Sequence, residues 1–244
     1  MHAPAAPIIP SDLLMLAYRN GIFPMADNRD DTEVFWVEPK ERAIMPLDGF
    51  RLSKSLAKAV RQDRFRISCN AAFADVVDAC AAPRHEHPDS WISARIAASY
   101  RALHAEGHAH SIECWDGGDL AGGLYGVNFG GVFCGESMFS RQTDASKVAL
   151  AWLVALLRRG GATLLDCQFM TDHLASLGAI EISQARYVAL LGEASDSGAG
   201  SGLAEGDGRG AASLPAAFAG VLAESAAVSL SPSKLILQSL THTS

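Results

Sequence analysis

The apolar and polar positions of this chain change period several times, and the longest unbroken apolar stretch runs from Val148 to Leu157. It has no charged face, and its length suits a helix buried on all sides rather than a membrane span. Asp144 is placed to cap its start, Arg158 and Arg159 suit the negative end of its dipole, and Gly160-Gly161 supplies a stop. The flanking runs GVFCGESMF and TLLDCQF are short, apolar and bounded by glycine, as strands inside a sheet tend to be. Three polar side chains interrupt them: Glu136, Asp166 and Gln168. With a strand period of two, Asp166 and Gln168 share one face and Cys167 takes the other. A structural hydrogen-bond network and a functional site both accommodate such residues, since buried polar groups must be paired in either case.

The same reading extends along the chain. Residues 1–10, rich in proline and alanine, are expected to be disordered. A helix capped by Ser11 or Asp12 runs to Gly21, and a polar loop then leads to the strands VFWV and ERAIMPL. From Ser53 to Gln62 the period is helical, with Leu52, Leu56 and Val60 on one side and Arg51, Lys54, Lys58 and Arg61 on the other. FRISCN reads as a strand, AAFADVVDACAA as a helix, RHEHPDS as a charged loop, and Ala94 to Gly107 as another helix. HSIECWD and DLAGGLYGVNFGGVFCGESMF then form three successive strands, an antiparallel meander entering the apolar helix. After Gln168 come a short helix, TDHLASLG, and a strand and helix in IEISQARYVALL, with the globular part ending near Leu191. Residues 192–213 read as a flexible glycine-rich linker, and 214–244 as a C-terminal tail with a weak helix and a short docked end.

Composition changes this picture in two places. At 244 residues, 49% of them hydrophobic, the chain can bury a substantial core. No initial charged-plus-apolar signal and no bilayer-length run appears, so a soluble cytoplasmic protein without membrane partners is the expectation. The net charge of −7 argues against a generic nucleic-acid coat, yet eight Lys/Arg crowd between Lys40 and Arg66 against three acids. The basic helix face therefore reads either as solvated surface or as a rail for phosphates. The five cysteines are scattered and read as core thiols, and neither His104/His108/His110 nor His85/His87 has the companions a metal site needs.

Three chemistries compete. Gly135-Glu136-Ser137-Met138-Phe139 begins like a nucleophile elbow but lacks its final glycine. A coenzyme A acyltransferase would grip pyrophosphate with a glycine-containing loop, whereas SRQTDASK has no glycine and carries Asp144. A non-enzymatic RNA-binding module would use the basic helix and leave Glu136, Asp166 and Gln168 as structure.

The words GIFPM, HAHSIECW, GGLYGV, FCGESMFSR, ASK, LLDCQF and HLASLGA, in this order and spacing, closely resemble the leucyl/phenylalanyl-tRNA–protein transferases from about Ser11 to Leu191. The resemblance implies an α+β chain: a small N-terminal α/β domain, 11–66, then a GNAT-like catalytic domain, 67–191, with a mostly antiparallel sheet around a buried helix. It implies transfer of Leu or Phe, less often Met, from aminoacyl-tRNA to the N-terminal Arg or Lys of an acceptor protein, marking it for degradation. No cofactor and a monomeric state are expected. By the same resemblance Asp166 orients or deprotonates the acceptor amine with Gln168, and Glu136 helps hold the site. Phe133, Met138, Leu150, Leu153 and Leu165 would line the aminoacyl pocket. Trp91 and Tyr100 would lie near the terminal adenosine, and Arg51, Lys54, Lys58 and Arg61 would meet the tRNA backbone. Members often carry tryptophan where this chain has Met25, so the adenosine-stacking role attached to that aromatic has no aromatic carrier there. The short N-terminal part and the glycine-rich tail also depart from the family pattern.

Overall fold

Two glycine turns set the course of the sheet. In the computed structural model, which describes residues 7–83, 89–196 and 212–241, Gly117 (φ +59°) and Gly130 (φ +54°) take left-handed backbone that other residues adopt with strain. They fold β5 (Ala109–Asp116), β6 (Asp119–Phe129) and β7 (Val132–Ser140) into the expected antiparallel meander. The strands close tightly at Gly126, where a Cβ would lie 2.3 Å from the Cys134 carbonyl and 2.4 Å from the Phe133 ring.

Earlier in the chain come α1 (Ser11–Arg19), β1 (Phe23–Met25), β2 (Phe35–Val37), β3 (Glu41–Ile44), α2 (Lys54–Arg61), β4 (Arg66–Cys69), α3 (Phe73–Ala81) and α4 (Ala94–Ala105). After β7 come α5 (Ala145–Arg159), β8 (Leu164–Gln168), α6 (Asp172–Ser176), β9 (Ile180–Ser183), α7 (Gln184–Asp196), α8 (Leu214–Val228) and α9 (Pro232–Thr241). β1 and β2 form a small antiparallel sheet of their own. The other strands make one seven-stranded sheet in the order β4-β5-β6-β7-β8-β3-β9. Among the described residues, only the β7–β8 pair in it is parallel. A parallel pair needs a crossover, and α5 is that crossover. The chain is thus a mixed α+β protein built on one large mixed sheet.

As its composition predicts, α5 is buried along nearly its whole length. Its start differs from expectation: Asp144 makes no capping hydrogen bond, has φ +68°, and pairs with Lys147 at 3.4 Å. Nor do Ser11 or Asp12 cap α1, whose N-cap is Pro10; Ser11 Oγ donates instead to Glu106 at 2.8 Å. Ser53 does cap α2, accepting the Leu56 N–H at 3.2 Å.

β3, from within 11–66, runs between β8 and β9, and α2 packs on α5 and α9. Ile9 is buried, its N–H held by Ser99 Oγ at 2.9 Å, while residues 1–6 lie outside the described residues. So do 197–211 of the expected linker, 84–88 of the charged loop, and the last three residues. α8 and α9 meet at 110° and cover α5, burying Val221 and Ile236 completely. Among the described residues no single helix is long and apolar enough to cross a membrane.

Candidate active site

The parallel pairing of β7 with β8 runs from Val132–Leu164 to Cys134–Asp166 and stops there. Beyond it β7 continues against β6 as far as Ser140, while β8 stays with β3, so the strands part and open a cavity of about 560 Å³. Met138, Leu150, Leu153 and Leu165 line it. Phe133 does not. It is fully buried with its ring against Gly126, because its register on β7 falls before the strands separate. Leu124, Phe169 and Leu174 supply further apolar wall.

Asp166 and Gln168 do not share a face. Opposite them, Ala43 and Ile44 of β3 pair with Gln168 and Asp166, which leaves Cys167 as the extra residue of a β-bulge. Gln168 has φ +62°, and its N–H donates to Asp166 Oδ1 at 2.8 Å, a side-chain-to-backbone bond two residues on that sustains the turn. The result separates the pair: Gln168 lines the cavity and Asp166 lies wholly behind it. Both Asp166 oxygens are engaged there, Oδ1 by Arg42 Nε at 2.9 Å and Oδ2 by Arg42 Nη2 at 2.5 Å and the Tyr187 hydroxyl at 3.0 Å. Burial alone would disfavour the charged guanidinium, but hydrogen bonding and attraction to Asp166 reverse this and raise the Arg42 pKa.

Glu136 enters the same cavity from β7. Its Oε2 accepts the Tyr100 hydroxyl at 2.7 Å, and that hydroxyl lies 2.6 Å from the hydroxyl of Tyr18. Burial pushes the Glu136 carboxyl up to about 7, with Tyr100, Tyr18 and Gln168 pulling it back and the charge of Asp166 adding to the rise. The phenols of Tyr18 and Tyr100 are in turn held protonated by burial and by Glu136, so they are donors. Tyr100 is 0% exposed and has no ring face open to the cavity, whereas half-buried Trp91 lines it. Four polar atoms from cavity-lining residues are buried without a hydrogen-bond partner: Tyr125 Oη, Glu136 Oε1, Gln168 Nε2 and His173 Nε2. Such groups carry a desolvation cost that a polar ligand would relieve.

Arg51, Lys54, Lys58 and Arg61 are all exposed, and among the described residues none belongs to an ion pair. They keep the segregation predicted by the helical period, with Leu56, Ala59 and Val60 buried beneath. Arg42 is the exception within the basic segment. It is fully buried, because its strand places it facing Asp166.

The cysteine on the cavity wall, Cys167, is no ready nucleophile: burial, then the charge of Asp166, holds its thiol well above the usual range. His104 is stacked on Phe73 with its Nδ1 2.7 Å from the Ala109 carbonyl, and His110 Nδ1 lies 2.9 Å from Asn70 Nδ2. No cluster of three or more His, Cys, Asp or Glu is placed to hold a metal among the described residues. Sequence reasoning missed Tyr18, Tyr125, Arg42 and Tyr187. Of these, Arg42 carried a usable signal, since it shares a strand face with the apolar Ile44.

The family model described as leucyl/phenylalanyl-tRNA protein transferase matches residues 44–192, and the model of its N-terminal domain matches residues 9–40. α8 and α9 lie beyond both spans. The leucyl/phenylalanyl-tRNA–protein transferase of Novosphingobium aromaticivorans is 60% identical to this chain, with 97% of each covered. That of Rhizorhabdus wittichii is 62% identical over 81% of this chain and 80% of its own, and that of Zymomonas mobilis 58% over 75% and 69%. Among solved structures, L-PGS from Bacillus licheniformis is similar with a TM-score of 0.36 and 14% identity, covering 70% of this chain and 56% of that one. With a family model matched from Ile44 to Gly192, spanning the cavity and both strands that open it, the chain belongs to the leucyl/phenylalanyl-tRNA–protein transferase family.

Proposed function

We propose that this chain transfers a leucyl or phenylalanyl group, less often a methionyl group, from aminoacyl-tRNA to the α-amino group of an N-terminal Arg or Lys on an acceptor protein, marking that protein for degradation. The observation that carries the reading is the cavity between β7 and β8, apolar along one wall and edged by the unpartnered Glu136 Oε1 and Gln168 Nε2. An apolar wall suits the side chain being moved, and the polar edge suits the reacting ester and amine.

In this reading the acceptor nitrogen attacks the ester carbon, a C–N bond forms, the C–O bond to the terminal ribose breaks, and the ribose hydroxyl leaves with the proton released by the amine. The ester is already activated, so the chain mainly has to position its two substrates. An α-amino group has a pKa of roughly 7.7–8.0, so an appreciable share is neutral near pH 7. Gln168 orients the reactants by hydrogen bonding. Glu136, with its carboxyl near 7, both attracts the basic acceptor and can take a proton from it. Asp166 acts behind Gln168 rather than on the amine, and Tyr100 acts behind Glu136. Trp91 offers a ring to the terminal adenosine, and the α2 cations meet tRNA phosphates.

The parting of two parallel strands over a crossover helix supports a GNAT-like architecture for the catalytic part. Action as a monomer in the cytoplasm completes the reading. The test is direct: incubate the protein with leucyl-tRNA and an Arg-initiated peptide, and look for the mass of one added leucine. A peptide that stays unmodified, with leucyl-tRNA intact, would sink the proposal.

A further inference from the structure

Arg42 touches three separate parts of the chain while being 0% exposed. Its Nη1 donates to the Gly21 carbonyl at 3.1 Å, and its Nε and Nη2 form a two-pronged pair with Asp166. The guanidinium lies over the rings of Phe23, at 4.7 Å, and Tyr187, at 4.4 Å. Such a site uses every directional property of the group: planar fork, fixed charge and stacking faces.

What the fork holds is the residue that holds Gln168. Asp166 Oδ1 accepts both Arg42 Nε and the Gln168 N–H, and this second bond sustains a left-handed backbone at a residue with a side chain. That turn delivers Gln168 to the cavity, where its Nε2 is buried without a partner. The next residue is tied to the same group. Phe169, on the cavity rim, packs edge-on against Phe23 at 5.6 Å, and Phe23 carries the guanidinium on its ring. Residue 42 also falls between the two spans matched by family models, 9–40 and 44–192.

We infer that Arg42 is a positioning residue of the transfer reaction, acting through Asp166 to fix the backbone turn that aims the Gln168 amide into the cavity. This rests on the transferase reading above. A role confined to fold stability would not require the fork, since buried ion pairs are often replaced by apolar groups without loss. A positioning role does.

Arg42→Lys keeps the charge but loses the fork and the stacking. The Gln168 backbone amide, followed by NMR hydrogen exchange, should exchange about tenfold faster or more as its carboxylate acceptor loosens. With leucyl-tRNA and an Arg-initiated peptide, kcat should fall about a hundredfold with KM for leucyl-tRNA within about twofold, the pattern of a misplaced group rather than lost binding. In a Gln168→Ala background the same substitution should cost less than about twofold, because the residue it positions is gone. Should Arg42→Lys fail to fold, Tyr187→Phe removes one donor to Asp166, keeps the ring over Arg42, and should move amide exchange and kcat in the same directions by about tenfold. Unchanged amide exchange in the folded variant, or losses that multiply with Gln168→Ala, overturn the inference. If the parent enzyme transfers nothing, the transferase reading falls, and the amide exchange still decides whether Arg42 governs Gln168.

Discussion

The hydroxyl of Tyr100 donates to Glu136 Oε2 at 2.7 Å and leaves the other oxygen, Oε1, buried and unpartnered beside the cavity. That bond is the largest of the effects lowering the Glu136 pKa against its burial. Tyr100→Phe removes it and keeps the ring, so the carboxyl should titrate above its present value of about 7. A limb of the pH–rate curve for leucine transfer that reports Glu136 should move to higher pH. A superimposable curve in the variant would mean that Glu136 does not titrate in the rate.

The same shift has a consequence for stability. A carboxyl raised from 4.5 to about 7 binds its proton more tightly in the folded chain. Its contribution is therefore full below about 4.5 and lost as pH rises through about 7. The difference is on the order of 3 kcal/mol. Glu136→Gln removes the titration while keeping the shape, so its denaturant midpoint should match the parent near pH 4 and exceed it near pH 8, while transfer activity drops. Parallel stability curves from pH 4 to 8 would show that Glu136 is not strained at neutral pH.

Arg51 and the cations of α2 present a different kind of relationship, exposed and, among the described residues, in no ion pair with an acid, which suits phosphate contacts that do not read sequence. Removing one of Arg51, Lys54, Lys58 or Arg61 should weaken binding of all tRNAs alike and flatten log K against log salt by about 0.7–0.9 per lost contact. Preference among charged amino acids should survive. Filter binding at several salt concentrations decides it: a fourfold alanine variant with unchanged affinity and slope would make this face plain solvated surface.

The elements that carried their own periodicity could be read from the chain. α5 is an unbroken apolar run, the meander has glycine at its turns, and α2 separates its charged and apolar sides within one helix. Glu136 was visible as a polar residue inside an apolar strand. What escaped was decided between distant elements. Asp166 and Gln168 were expected on one face, but β3 enters the sheet beside β8 and imposes a bulge, through contacts between residues 124 apart in the chain. Tyr18, Tyr100 and Tyr125 come from α1, α4 and β6 and meet around one carboxylate, which no local pattern announces. Phe133 was placed in the pocket by the family resemblance, and in sequence an apolar strand residue looks the same whether it faces a cavity or the glycine of a neighbouring strand.

Selectivity for the transferred side chain follows from what the cavity wall lacks. Met138, Leu150, Leu153 and Leu165 offer shape and no matching charge. A methylene more or less in such a pocket is worth only roughly 1–3 kcal/mol, so preference among Leu, Phe and Met should be graded. β-Branched Val and Ile would press a methyl against a wall fitted to an unbranched Cβ. Amide and charged side chains would lose their water without gaining partners, and should be rejected far more strongly. Met138→Ala and Leu165→Ala should therefore relax the shape barrier against Val and Ile and leave the polar barrier standing. The measurement is relative transfer from one tRNA body charged in turn with Leu, Phe, Val, Ile and Gln. If neither variant gains on Val or Ile, the side chain being transferred does not rest on this part of the wall. If Gln gains as much as Val, the barrier against Gln is one of shape and not of desolvation.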